Sequence, residues 1–218
     1  MRTTGGPGGT QRCEYVEILG SAGTQVPANT FFVSVDGDSG QHGLVSYVKN
    51  IGGVTFGSNG TITIINGQGL NCPSRVYAAG TTIVTTNSVA MGFGAESFLV
   101  IRSTDPADIF EGNDLDVDDD GQFDLDFGIT VLDGIGWTPD PNDAFTFQLY
   151  GGVPDFGGDG SATLVPDAAS RFTGNTNAIS GLAWYYGHLI APENSLTYQL
   201  PGSFPAGAAL TPGAPNSH

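Results

Sequence analysis

The stretch from Asp114 to Asp126 (Asp-Leu-Asp-Val-Asp-Asp-Asp-Gly-Gln-Phe-Asp-Leu-Asp) alternates carboxylates with apolar residues and sets a glycine behind its densest acidic run. With Gly121 at the sixth position of a calcium loop, Asp116, Asp118 and Asp120 fall at positions one, three and five. The Gln122 carbonyl then takes position seven and Asp124 position nine. A hard divalent cation needs about six to eight oxygens at short range, and glycine permits the sharp turn that gathers them. Position twelve, ordinarily a bidentate glutamate, is Phe127 here. Asp114 and Asp126 flank the set, and Asp126 or an acid from elsewhere in the fold must close the shell. The expected ligands are therefore Asp114, Asp116, Asp118, Asp120, Gln122, Asp124 and Asp126, with calcium as the ion. The alternative is a solvated acidic loop without metal. Ten of the 22 acids lie between Asp105 and Asp126, with no Lys, Arg or His among them. Such a concentration repels itself unless a cation neutralises it.

Other groups offer less chemistry. Asp155 and Asp159 sit in the Gly-rich segment Pro154–Gly160 and suit a second calcium site, a share of the first, or an exposed loop. His42, His188 and His218 are isolated, and no Gly-x-Ser-x-Gly elbow occurs. Ser170 and Ser195 have no base beside them in sequence. Glu14 and Glu17 flank one strand but, at an odd spacing, face opposite sides and cannot form an acid–base pair. Arg171 is expected to pair with Asp167, or to hold a loop through carbonyls. Asn59-Gly60-Thr61 matches both a glycosylation sequon and a turn.

The two cysteines, Cys13 and Cys72, lack a Cys-x-x-Cys partner or a nearby His, which leaves zinc and thiol-redox motifs unsupported. A Cys13–Cys72 disulfide, tying the first strand to the loop after the fourth, is expected; two buried thiols are the alternative.

The elements that position these residues read as strands. Apolar runs are short and rich in Val, Ile and Thr, and no window carries a sustained helical stripe. Strands are expected at 14–19, 31–35, 44–48, 61–65, 97–102, 129–137 and 145–150. Residues after Gly151 are looser, with Trp184-Tyr185-Tyr186 as their apolar anchor. The pattern predicts an all-β sandwich or barrel. The organisation expected is a Gly-rich head over 1–12 and a single domain over 13–218, with an insertion at about 104–128 that carries the acidic loop.

A formal net charge of −16, from six Lys and Arg against 22 acids, argues against nucleic acid and against an anionic membrane as partner. No run is apolar and long enough to insert as a helix in a membrane. No leader-like apolar segment follows Met1, which fits either a cytoplasmic chain or a mature form with an added initiator. The acidity, the expected calcium and the cysteine pair favour the second, and hence an extracellular or cell-surface location.

Glu14-Tyr15-Val16-Glu17-Ile18 near the start and Leu210-Thr211-Pro212-Gly213-Ala214-Pro215-Asn216 at the end resemble the edges of bacterial lamin-tail-like domains. Leu132–Trp137 and Pro166–Thr176 are similar to segments of a large branch of that family. The resemblance implies a secreted immunoglobulin-like β-sandwich with long loops, the acidic loop being an insertion in it. Domains of that kind accompany enzymes or adhesins and do no chemistry themselves. The function expected is thus a calcium-binding β-sandwich with a structural, adhesive or self-assembling role. Its partners would be further copies of the chain, extracellular matrix or surface polysaccharide. A calcium-dependent hydrolase of polysaccharide or ester is one alternative. A carbohydrate-binding module stacking sugars on Trp137, Trp184, Tyr185 and Tyr186 is another.

Overall fold

The computed structural model describes residues 14–66, 76–86, 94–139, 146–157, 166–172, 183–187, 189–190, 197 and 209–214. Cys13, Cys72, Asp159, His188, Ser195, His218 and the head over 1–12 lie outside them. Among the described residues are nine strands: β1 (Tyr15–Leu19), β2 (Thr30–Asp36), β3 (Val45–Asn50), β4 (Thr61–Asn66), β5 (Thr82–Thr86), β6 (Glu96–Ser103), β7 (Ile129–Trp137), β8 (Ala168–Arg171) and β9 (Trp184–Gly187). Helical structure among the described residues amounts to 3-10 turns such as Pro106–Asp108 and Leu125–Phe127. No helix among them is long and apolar enough to cross a membrane.

The strands form a three-stranded sheet ordered β1-β4-β5, a four-stranded sheet ordered β3-β2-β6-β7 and a β8-β9 ladder. All pairs are antiparallel except β4 with β5. The two larger sheets pack face to face. Val16, Ile62 and Ile64 of one meet Phe32, Tyr47, Phe98, Ile135 and Trp137 of the other in a common core. That is a sandwich, as the short alternating runs predict. Behind the three-stranded sheet a second cluster joins Tyr15 and Ile65 to Ala168, Tyr185, Leu189 and Leu210. Because Ala169 and Trp184 join the common core instead, β8-β9 shares both surfaces of that sheet.

A third cluster lies on the other face of the four-stranded sheet: Phe31, Val33, Val35, Val45, Leu99 and Ile101, with Ile109, Leu115 and Tyr150. The four-stranded sheet is thus apolar on both sides, which is why β2 is buried along almost its whole length. The cover on its outer side is the segment between β6 and β7, residues 104–128.

Two β-bulges make this possible. The β2–β3 register passes from Ser34↔Tyr47 to Val35↔Val45, leaving Ser46 as an extra residue. Val45 then faces the outer cluster and Tyr47 the common core, although even spacing would put both on one face. In the same way Leu132 is extra between Val100↔Asp133 and Ile101↔Val131. Ile129 and Val131 therefore lie under the outer cover while Ile135 and Trp137 enter the common core.

Several expectations are corrected. The expected strand at 145–150 is not one: Thr146–Tyr150 makes a single bridge, Phe147 with Asp38, and Gln148 N donates to Gly37 O at 2.9 Å. Its Tyr150 hydroxyl serves the acidic segment instead. The strands β5, β8 and β9 were not foreseen, although Thr82–Thr86 is rich in strand-forming residues. Arg171 pairs with Asp133 of β7 and lies 4.4 Å over the Trp184 ring. Asp167, its expected partner, accepts from Leu189 N at 2.9 Å. Asn59 stands in a turn, with Nδ2 donating to Thr81 Oγ1 and Gly213 O at 2.8 and 2.7 Å.

Candidate metal centre

The acidic segment is seated by backbone pairing before any carboxylate acts. Gly112 N donates to Val45 O at 2.8 Å, Val45 N to Asn113 O at 2.9 Å, and Leu115 N to Gly43 O at 3.0 Å. Leu115 plugs the outer cluster, and Phe123 stacks on Tyr150 with ring centroids 5.4 Å apart. Gly43 is required here: a Cβ would lie 2.6 Å from Asp114 Oδ1 and 2.8 Å from Asp116 Cβ. From this seat the chain turns back on itself through two left-handed residues, Asp119 at φ 56° and Gly121 at φ 84°. Aspartate tolerates that region better than most residues, and glycine does so without strain.

Asp116 is the centre of the turn and is completely buried. Its Oδ1 accepts from Asp120 N at 3.0 Å, and its Oδ2 from Gly121 N and the Tyr150 hydroxyl, both at 2.9 Å. A carboxylate offers about four lone-pair directions, so three donors leave one for a cation. Tyr150 is held far above the usual phenol range, first by burial and then by its bond to Asp116. It therefore keeps its proton and donates it to Asp116.

Asp116, Asp118 and Asp120 each bring a carboxylate oxygen to within 4.8 Å of the others. Asp118 and Asp120 are exposed, so the group opens to solvent on one side. Asp118 is raised from the ordinary carboxylate value, chiefly by Asp120. His42 Nδ1 lies 4.0 Å from Asp119 Oδ1. What this arrangement can do is hold a hard cation by oxygen ligands on a preformed turn.

The other expected ligands are placed differently. Asp114 Oδ1 accepts from Asp116 N at 2.9 Å, and Asp124 Oδ2 from Val117 N at 3.0 Å. Both shape the turn and stand beside the three-carboxylate group. Gln122 donates its backbone N to Asp120 Oδ1 at 2.9 Å. Asp126 is exposed in the Leu125–Phe127 turn. Asp155 accepts from Thr138 N, Thr138 Oγ1 and Gly157 N, which makes it a turn brace. The sequence reading missed Tyr150, Gly43 and the seat on β3, because all three are brought to the loop by tertiary packing.

The four rings expected as a stacking platform lie in different environments. Trp137 and Tyr185 are buried in the cores. Arg171 covers a face of Trp184, and Tyr186 stacks on Phe156 with centroids 4.3 Å apart. The two buried rings have no face to offer a sugar, whereas Trp184 is half-buried and Tyr186 exposed.

No protein-family model, no curated protein and no solved structure matches this chain.

Proposed function

We propose that the chain is a calcium-binding β-sandwich module whose role is structural or adhesive rather than catalytic. The observation that carries this reading is the convergence of Asp116, Asp118 and Asp120 on a turn fixed from beneath by Tyr150 and β3. The all-oxygen donor set favours calcium over zinc, and its solvent-open side suits an ion that accepts irregular shells. Asp124 or water completes the shell after a side-chain rotation. An extracellular or cell-surface location belongs to the same proposal, since calcium modules there bind at about 10⁻⁴–10⁻³ M.

Kinship with the bacterial lamin-tail-like, immunoglobulin-like sandwiches forms part of the proposal. Its support is that the two edge motifs meet, with Glu17 accepting the Gly213 backbone N–H. Self-association through a bridging cation is the partner reading that fits a surface of net charge −16.

Isothermal titration of metal-stripped protein tests the core of this reading. Calcium uptake at up to millimolar concentration, lost in Asp118→Asn/Asp120→Asn, is expected. Absence of uptake at that concentration overturns it.

A further inference from the structure

Away from the acidic loop, at one end of the common core, Glu96 begins β6 with a side chain that is 1% exposed. Register places it between Asp36 of β2 and Trp137 of β7. Its Oε1 accepts the hydroxyls of Ser34 and Ser46. Ser34 belongs to β2, and Ser46 is the extra residue of the β3 bulge. One carboxyl oxygen therefore ties three adjacent strands together at the point where β3 changes face.

No cation among the described residues acts on it. The titratable groups around it are Asp36 on β2, Asp38 and His42 in the turns that follow, and Tyr47 on β3. From β7 the neighbour is the uncharged Trp137. Asp38 holds the adjacent backbone, with its Oδ1 accepting Ala95 N at 2.8 Å. A carboxylate withdrawn from water, given only neutral donors and facing two other carboxylates, is disfavoured relative to its neutral acid. Burial is the largest cause, and it lifts Glu96 to about 7 against the opposing pull of the two serines.

We propose that Glu96 is a proton-operated latch on the β3–β2–β6 junction: protonated it closes the junction and steadies the seat of the acidic loop, and ionised it loosens both. The link to the seat is short. Ser46 adjoins Val45, which exchanges hydrogen bonds with Gly112 and Asn113, and Gly43 holds Leu115. Loss of the proton leaves a buried charge whose remedy is water entry at the bulge, the irregular point of the ladder. The latch does not depend on the calcium reading.

The test is amide hydrogen exchange on the full chain with chelator present throughout, so that its outcome is separate from calcium binding. Protection of Val45, Gly112 and Leu115, corrected for intrinsic rates, should fall about tenfold or more between pH 5.5 and 8, the change that about 1.4 kcal/mol produces. Protection at the β1–β4 ladder should fall less. In Glu96→Gln the three amides should stay protected across that range, and in Ser46→Ala they should lose their pH dependence. The carbon-13 carboxyl resonance of Glu96 in the unmodified protein provides a check that needs no variant, and it should titrate between pH 6 and 8. Titration below pH 5, or an unchanged pH response in Glu96→Gln, overturns the latch.

Discussion

In the segment after β6, Asp116 is fully buried yet meets two backbone N–H groups and a phenol. At the start of the same strand Glu96 is equally buried and meets only two serine hydroxyls. Asp116 sits below two exposed carboxylates that open to solvent, where a cation can reach all three. Glu96 is closed in by Asp36, Trp137 and the core, where only a proton can reach it. Crowded acids thus have two remedies, and access to solvent selects between them.

Removing the buried member of each group tests that contrast most strongly. Asp116→Ala strands two N–H donors of the turn and leaves the Tyr150 hydroxyl to Gln148 Oε1 alone. With hydrogen bonds to charged groups worth about 1.5–3 kcal/mol each, a loss of roughly 3–5 kcal/mol is expected from urea denaturation in chelator. A loss under 1 kcal/mol would mean that the turn does not rely on Asp116.

At Glu96 the expected sign is opposite. An acid raised from 4.5 to about 7 on folding holds its proton more tightly in the folded state. Its stability contribution is complete below pH 4.5 and is lost as the pH rises through about 7. Glu96→Gln should therefore gain on the order of 3 kcal/mol relative to the unmodified protein between pH 5 and pH 8. Parallel stability curves for the two proteins would contradict the assignment.

Calcium should stabilise the loop side only. At a hundredfold excess over Kd the gain is about 2.7 kcal/mol, a Tm rise of roughly 5–10 °C for a chain of this size. Glu96→Gln should show the same rise, and Asp118→Asn/Asp120→Asn should show little. Gly121→Ala, forced to φ near 84°, should cost about 1–2 kcal/mol and weaken calcium uptake without altering the pH response. The smallest effect is expected at Leu125, 96% exposed: Leu125→Ser should change stability by under about 0.5 kcal/mol. A larger loss there would show that the outer edge of the loop is packed in solution.

Composition and spacing made much of this legible. Short Val, Ile and Thr runs mark six of the nine strands among the described residues nearly at their bounds. The Asp-x-Asp-x-Asp-Gly spacing picked out the three carboxylates that converge, because their meeting depends on a local turn encoded within six residues. Asp124 and Asp114 were read as ligands from the same local rule. In the structure one oxygen of each also accepts a neighbouring amide, a contact that spacing does not reveal.

Tertiary structure decided what local rules could not. Val45 with Tyr47, and Val131 with Ile135, share a face by alternation. Extra residues at Ser46 and Leu132 send them to opposite faces, because the four-stranded sheet has an apolar cover on each side. The same packing brought Tyr150 under Asp116 from 34 residues away, and Ser34 to Glu96 from 62. A sequence states which side chains carry charge. Which charge meets backbone amides, which stays open to a cation and which must keep a proton depends on the burial and donors around it, and those are set by strands distant in the chain.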